Sequence, residues 1–199
     1  MTEVILDSGN RRKFNSGAVR DIDEGKGRCD LMPVGIIADT LDYFEANRVN
    51  LDGRGMPTDA TILRDIDQFI QTTDTQHLFN AIIDFTCIST LNSFSYSSFA
   101  SEMLDLALHY EQGCAKYGER NWEKGIPLHC YIDSGVRHFL KYIRNDDDER
   151  HDRAFLWNML GAIWTYKNMP NCIDISPRDR DRAPVAMYPS EGRRTTVQN

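Results

Sequence analysis

Apolar side chains recur three and four positions apart through most of the chain, which is the spacing of one face of an α-helix. This spacing predicts helices over 34–47, around 62–70, from residue 78 onward, and over 101–117, 129–144 and 149–167. Thr58 or Asp59 is the predicted N-cap of the second helix, because short polar side chains cap helix starts. The alternation of apolar and polar residues that marks a strand is not convincing anywhere. The pattern therefore predicts an all-α fold.

The two ends of the chain lack this periodicity. Residues 1–33 are rich in glycine and charge and are predicted to form an extended N-terminal arm. Residues 168–199 carry proline and charge but few apolar side chains, so they are predicted to be an irregular tail. The segment between them, 34–167, is long enough to bury one core and is predicted to be a single all-α domain.

Composition narrows the range of partners. The chain of 199 residues has a net charge of −7, whereas a general nucleic-acid binder needs a basic face. An acidic protein can still bind a nucleotide through a divalent cation held by carboxylates. No apolar run is long enough for a membrane helix, and the first residues make a poor signal peptide. The five cysteines follow no metal or disulfide spacing, which is typical of reduced thiols in a cytoplasmic protein.

Glu111 is the first candidate for chemistry. It falls within the apolar stripe of its helix, where a carboxylate is costly unless it is paired or binds a metal. The alternative is an edge position from which the side chain reaches water. In the arm, Arg20, Lys26 and Arg28 lie among several glycines, so this segment could bind phosphate through cations and free backbone N–H groups.

The fifth predicted helix divides into an apolar face and a charged face. Asp133, Arg137, Lys141 and Arg144 follow one side at helical spacing, with His138 beside them. This face is either a solvated surface with an ion pair between Asp133 and Arg137, or a cationic wall for phosphate with His138 or Asp133 near a metal. The pattern alone does not separate the two interpretations.

The last predicted helix begins in an acidic cluster, NDDDERHD, part of which is ordinary helix capping. Glu149 and Asp152 form an E-x-x-D pair on one face, with His151 between them. The rest of the helix is apolar nearly all round, so it must be buried. Two neighbouring helices do not easily cover such a helix, which favours a homo-oligomer.

One stripe of this helix is small or polar instead. Its members, three and four positions apart, are His151, Ala154, Asn158, Gly161 and Thr165. A buried asparagine needs hydrogen-bond partners. The stripe therefore marks either a ligand cleft or close packing against another helix.

Four segments together resemble a known family. SGAVRDIDEGKGRCDLMP (16–33), HYEQGCAKYGERNWEKGIPL (109–128), DSGVRHFLKYIR (133–144) and HDRAFLWN (151–158) resemble the phage and prophage family of dATP/dGTP diphosphohydrolase N-terminal domains. That family is related in outline to the MazG-like all-α nucleotide pyrophosphohydrolases. The block KYGERNWEKGIP is quite specific, whereas residues 45–98 look like an insertion relative to shorter members.

The resemblance implies a helical bundle of the MazG-like type with an extended arm and a helical insertion. It implies hydrolysis of a purine deoxynucleoside triphosphate to the monophosphate and pyrophosphate with Mg²⁺ or Mn²⁺. The implied partner is a purine nucleotide or a nucleotide-derived small molecule, with no nucleic acid and no membrane. The implied location is the cytoplasm, that of the bacterial host if a phage encodes the protein.

The resemblance also suggests which side chains act. Glu111, Glu149 and Asp152 are the predicted catalytic residues and metal ligands, with Asp133 and His138 as further metal ligands. Cations are expected on the phosphates, the tryptophan of the quoted block on the base, and asparagines on the base or sugar. The predicted nucleotide-binding residues are Arg20, Lys26, Arg28, Lys116, Arg120, Asn121, Trp122, Lys124, Arg137, His151 and Asn158.

The chain departs from the MazG-like pattern in its first acidic motif. Those enzymes typically carry E-x-x-E on one helix and E-x-x-D on another, but Glu111 has Cys114 at i+3 and Leu108 at i−3. The missing carboxylate keeps a second interpretation open, in which a phage protein binds and sequesters a nucleotide-derived immune signal without hydrolysing it.

Two further alternatives come from the histidines and the polar stripes. His138 and the pair His151–Asp152 are similar to an HD-type phosphohydrolase, but that chemistry needs an aspartate on a later helix, and the later aspartates lie in the predicted tail. The chain could also be a helical structural or partner-binding protein whose polar stripes are only helix contacts.

Overall fold

The segments with helical apolar spacing form six α-helices. The computed structural model describes residues 9–22, 24–53, 55–90 and 94–176. Within these residues the helices are α1 (Val34–Gly53), α2 (Asp59–Thr72), α3 (Gln76–Ser89), α4 (Tyr96–Tyr117), α5 (Leu128–Arg144) and α6 (His151–Asn168). The prediction of an all-α fold is confirmed. No described helix is long and apolar enough to cross a membrane.

Polar side chains set two of the helix starts. Thr58 is the N-cap of α2, and its backbone N–H donates to Thr61 Oγ1 at 3.0 Å. Helix α4 begins at Tyr96, earlier than predicted, because Ser95 Oγ accepts the N–H of Ser98 at 3.1 Å and caps the helix. The third predicted helix therefore ends at Ser89, and residues 96–101 belong to α4.

The described part of the arm contains a small hairpin. Strands β1 (Arg11–Lys13) and β2 (Val19–Asp21) pair antiparallel, with Arg12 opposite Arg20. The sequence did not predict these strands, because each has three residues and is largely exposed, so neither shows an alternation of apolar and polar positions.

Helix α6 lies at the centre of the core. It packs against α1, α3, α4 and α5, and eleven of its eighteen residues are buried. The prediction that this helix is buried is confirmed, but helices of the same chain provide the cover. The apolar surface of α6 therefore does not itself require a second copy, and homo-oligomerisation stays a prediction.

Three aromatic rings join α3 to this centre. The Phe85 ring lies 4.7 Å from that of Phe155 on α6 and 6.2 Å from that of Phe139 on α5, measured between centroids. All three side chains are fully buried, and each contributes about 1.5–3 kcal/mol of burial free energy. The predicted insertion over 45–98 includes α2 and α3, and both helices pack into the same hydrophobic core as α5 and α6.

The described part of the tail is short. After α6 the chain forms a single 3₁₀ turn at Pro170–Cys172 and then has no regular structure up to Ser176. The rest of the predicted tail, 177–199, lies outside the described residues.

Candidate functional site

A cavity of about 560 Å³ opens between the C-terminal half of α4, the loop after it, α5 and the first turns of α6. Cavities of about 300–1,000 Å³ hold small ligands. Its buried lining residues include Leu31, Tyr110, Trp122, Ala154 and Asn158. Its exposed lining residues are Gln112, Lys116, Tyr117, Gly118, Arg120 and Glu149. The cavity thus has an aromatic, largely apolar interior and a charged mouth.

The loop between α4 and α5, which contains most of the block KYGERNWEKG, forms one wall of the cavity. Gly118 ends α4 at φ +88°, a backbone conformation that suits glycine. Arg120 also lies in the left-handed region, at φ +50°, and its guanidinium donates to the Asp30 carbonyl at 2.9 Å. A 3₁₀ turn follows at Asn121–Lys124. The loop is therefore held against the arm, with Lys116 and Arg120 at the mouth of the cavity.

Trp122 is a core residue of this loop. It is 6% exposed, its indole N–H donates to the Leu31 carbonyl at 3.2 Å, and its ring meets the Trp164 ring edge-on at 4.8 Å. The burial leaves little free face for the predicted stacking on a base, which stays a prediction. In the structure, Trp122 connects the loop to the arm through this hydrogen bond.

Glu111 does not line the cavity. Its two carboxylate oxygens accept the backbone N–H groups of Gly25 at 2.7 Å and Gly27 at 2.9 Å. Gly27 has φ +81°, and a Cβ there would lie 2.7 Å from the Cβ of Ala107, so only glycine fits this approach. The predicted metal ligand is thus the anchor of the arm, and both of its oxygens already accept hydrogen bonds.

The cations of the arm also lie away from the cavity lining. Lys26 pairs with Asp21 at 3.4 Å, and Arg28 pairs with Asp30 at 2.7 Å and with Glu119 at 3.0 Å. Arg20 is exposed on β2. None of these three predicted phosphate contacts lines the cavity, although Arg28 and Arg120 both bind Asp30.

The charged face of α5 is a solvated surface over most of its length. Exposed Asp133 pairs with exposed Arg137 one turn away, and neither lines the cavity. Lys124 donates to Asn121 Oδ1 at 3.2 Å, and of these two only Asn121 lines the cavity. The ion-pair interpretation of this face is the one that the geometry supports.

His138 is the exception on α5, because it turns toward the start of α6. Its Nδ1 lies 3.1 Å from Nδ1 of His151 and 3.3 Å from Oε1 of Glu149. His151 is 3% exposed, and its Nε2 bonds to Oδ1 of Asp148 at 2.8 Å. His138 and Glu149 both line the cavity. Donor atoms of His138, Glu149 and His151 lie within 4.8 Å of one another, which is close enough for one metal ion.

Charge and burial tune these side chains. Burial lowers the pKa of His138, which favours the neutral ring that binds metals. Hydrogen bonds from Lys141 and His151 lower the pKa of Asp148 to about 2. This carboxylate therefore stays ionised across the neutral range and acts only as a hydrogen-bond acceptor.

Asp152 points to a different partner. Burial alone would raise its pKa, but the hydrogen bonds from the Arg150 side chain and the Arg153 N–H outweigh burial, and the net pKa is lowered. Arg150 also reaches Asp105 at 3.1 Å. Of the described residues that an HD-type site needs, only the histidines come together. Asp152 is paired with Arg150, and Asp174 is paired with His129.

The small, polar stripe of α6 divides into two parts. Asn158 is 4% exposed and lines the cavity, and its Nδ2 donates to the Ala154 carbonyl at 2.7 Å. At Gly161, a Cβ would come within 2.4 Å of the ring of Tyr131, so this part of the stripe receives α5 at close range. Ala154 and Asn158 thus line the cavity, whereas Gly161 packs against α5.

The family comparison matches this part of the chain. Residues 89–174 match the family described as dATP/dGTP diphosphohydrolase, N-terminal. The resemblance predicted from the sequence is thereby confirmed over these residues. No curated protein and no solved structure matches the chain.

The matched segment coincides with the cavity. It contains α4, α5 and α6 entire, and every lining residue of the cavity except Leu31. The arm lies outside the match, although it braces the loop. No comparison links the segment to the MazG-like enzymes, so that relation stays a prediction.

The donor atoms at the cavity fit a divalent metal. Two imidazoles and a carboxylate converge in the group of His138, His151 and Glu149, and the described lining of the cavity offers no second carboxylate. Imidazole and carboxylate together are ordinary ligands of first-row divalent metals. Of the five predicted metal ligands, Glu149 and His138 meet, whereas Glu111, Asp133 and Asp152 are engaged elsewhere.

Sequence reasoning missed several residues of the site. His109 and Trp157 line the cavity, and burial lowers the pKa of His109. His109 opens one of the segments that carry the family resemblance, which was a usable signal. Asp148 could not be singled out, because it stands in an acidic run that helix capping explains equally well.

Proposed function

We propose that the protein hydrolyses a purine deoxynucleoside triphosphate, dATP or dGTP, to the monophosphate and pyrophosphate with a divalent cation, Mg²⁺ or Mn²⁺. One observation carries the proposal: the segment that matches the dATP/dGTP diphosphohydrolase family supplies nearly the whole lining of a nucleotide-sized cavity. Cations at its mouth and a convergent donor group at its edge support the same reaction.

The gradient of burial across the cavity suggests how the substrate lies. Tyr110, Trp157 and Asn158 offer an aromatic, hydrogen-bonding interior, which suits a base or sugar. Lys116 and Arg120 line the exposed mouth, which suits the phosphates because charge–charge contacts tolerate solvent there. One N–H of the Asn158 amide donates to the Ala154 carbonyl, which leaves the amide Oδ1 and the second N–H for the ligand.

The side chains at the mouth have separate tasks. Lys116 and Arg120 would neutralise the phosphates and orient the phosphate chain. His138, His151 and Glu149 would hold the cation. When bound, that cation would act as a Lewis acid, which polarises a phosphoryl oxygen and lowers the pKa of an attacking water. Hydrolysis at the α-phosphorus consumes one water and releases pyrophosphate as the leaving group.

Incubation of the full-length protein with dATP or dGTP and Mn²⁺ or Mg²⁺, followed by anion-exchange chromatography, tests the proposal. We expect deoxynucleoside monophosphate and pyrophosphate in equal amounts. Glu149→Gln should lower turnover by at least about 100-fold, since it removes the one carboxylate at the cavity. Asp147→Asn, with the same loss of charge two residues away, is the matched control and should retain activity.

Other products would count against this reaction. Release of tripolyphosphate and deoxynucleoside would indicate HD-type chemistry. Intact nucleotide recovered after denaturing a stable complex would replace hydrolysis with sequestration. A Glu149→Gln protein as active as the wild type would remove the histidine–glutamate group from the mechanism.

A further inference from the structure

We propose that His138, His151 and Glu149 form a defined site for one first-row transition-metal dication, such as Mn²⁺, Co²⁺ or Zn²⁺, and that this site discriminates against Mg²⁺. The inference rests on the proposed function and narrows its cation from Mg²⁺ or Mn²⁺ to the transition-metal class. Its test needs no nucleotide, so metal binding and hydrolysis can fail separately.

The spacing of the donor atoms carries the inference. Two ligand atoms about 2.1 Å from one ion, and about 90–110° apart around it, lie about 3.0–3.4 Å from each other. His138 Nδ1 lies 3.1 Å from His151 Nδ1 and 3.3 Å from Glu149 Oε1. His138 therefore lies at the spacing of a neighbouring ligand from each of the other two, and all three donor atoms lie within 4.8 Å of one another, although they come from two helices and the turn between them.

Asp148 orients the buried member of the group. It is an acceptor only, so the Nε2 of His151 must donate the hydrogen bond of 2.8 Å that joins them. In the neutral ring, this leaves the lone pair on Nδ1, the nitrogen that faces His138. A carboxylate behind a ligand histidine fixes the ring and raises its basicity, which is the usual support of a protein metal site. Asp148 thus acts as a positioning residue.

The chemistry of the donors decides the class of ion. Mg²⁺ prefers near-octahedral oxygen ligands and gives up water reluctantly, so two imidazoles suit it poorly. Imidazole suits the later first-row metals, and a carboxylate suits the earlier ones. A pair of histidines with one glutamate therefore favours a transition-metal dication over Mg²⁺, even where Mg²⁺ is more abundant.

A second group of donors lies close by and is less suitable. Asp146, Asp148 and His151 also bring donor atoms within 4.8 Å of one another. Asp146 is already paired with Arg144, and Asp148 with Lys141 at 2.7 Å. A cation there would have to displace two ion pairs, whereas the group of His138 faces the cavity.

Titration of the metal-free, full-length protein with Co²⁺, followed by visible absorption, tests the site directly. We expect one equivalent to bind with the d–d bands of a nitrogen–oxygen ligand set, and a 100-fold excess of Mg²⁺ to leave the spectrum unchanged. Glu149→Gln should weaken Co²⁺ binding at least about 10-fold, and Asp148→Asn about 10-fold through the orientation of His151. Both side chains are about half exposed, so these variants should fold.

Asp147→Asn and Asp146→Asn are the controls for a loose acidic cluster, and both should bind Co²⁺ within about twofold of the wild type. Equal weakening by Asp147→Asn and Glu149→Gln would overturn the inference, because the cluster would then act as a diffuse charge. Selective loss in Asp146→Asn would move the ion to the neighbouring group and overturn it too. Displacement of Co²⁺ by equimolar Mg²⁺ would refute the selectivity. Tight Co²⁺ binding without nucleotide hydrolysis would bear on the proposed function alone.

Discussion

Replacing Glu111 by glutamine is expected to loosen the arm without affecting metal binding. Both carboxylate oxygens accept backbone N–H groups, those of Gly25 and Gly27. Glutamine keeps the shape, but it removes the charge and presents an NH₂ group to one of the two N–H donors. A hydrogen bond to a charged group contributes about 1.5–3 kcal/mol, and the bond at Gly25 is exposed, so a loss of about 2 kcal/mol is expected for the pair.

This loss should appear as local opening of the arm. About 2 kcal/mol corresponds to a roughly 30-fold faster exchange of protected amides. Hydrogen exchange followed by mass spectrometry on peptides that cover residues 24–32 measures it, and a Co²⁺ titration of the same variant measures the metal site. Glu119→Gln is the matched control, because its carboxylate also reaches the arm but is 66% exposed, so its loss should change little.

The reasoning would be refuted by the opposite pattern. If Glu111→Gln weakened Co²⁺ binding about 10-fold or more and left exchange in the arm unchanged, Glu111 would be a metal ligand, as the sequence first suggested. Faster exchange with unchanged Co²⁺ affinity would identify it as the anchor of the arm.

Three further variants test packing, a buried hydrogen bond and a half-buried carboxylate. Gly161→Ala should cost about 1–3 kcal/mol in urea unfolding, because its Cβ would lie 2.4 Å from the ring of Tyr131, which is 1% exposed; a variant as stable as the wild type would contradict this contact. Trp122→Phe should cost about 1–3 kcal/mol, since it leaves the Leu31 carbonyl without its indole donor, and an unchanged melting temperature would contradict that bond. Burial raises the pKa of Glu102 and outweighs the hydrogen bond from Ser89, so its contribution to stability is present below the unfolded pKa and is lost as the pH rises through the folded pKa. The Glu102→Gln variant should therefore have a higher melting temperature than the wild type near pH 8 and the same melting temperature near about pH 4. A lower melting temperature of the variant at the higher pH would contradict the raised pKa of Glu102.

The helices could be predicted because the signal for them is local. Apolar spacing located all six helices, and the all-round apolar character of α6 correctly indicated its burial. The loop after α4 was also predictable, because glycines and charges interrupt the apolar spacing there. These features need no knowledge of how distant segments meet.

The partners of the polar side chains could not be predicted, because they depend on distant contacts. Glu111 is 86 residues from Gly25, and the sequence shows only that a carboxylate in an apolar stripe needs some partner. His138 and His151 meet because the chain reverses after α5, where Asn145 takes the left-handed conformation at φ +60°. Two histidines on either side of such a turn were the available signal, and the E-x-x-D pattern drew attention to Asp152 instead.

Helix α3 has a consequence for how the family segment can be inherited. The match begins at residue 89, where α3 ends, yet nine of the fourteen residues of α3 are buried. The rings of Phe139 and Phe155, which lie within the matched segment, pack against Phe85, which lies outside it. A protein that shares only this segment must therefore cover the same hydrophobic surface with another element. The boundary of the family match is thus not a boundary of folding in this chain, because the matched segment and α3 share one hydrophobic core.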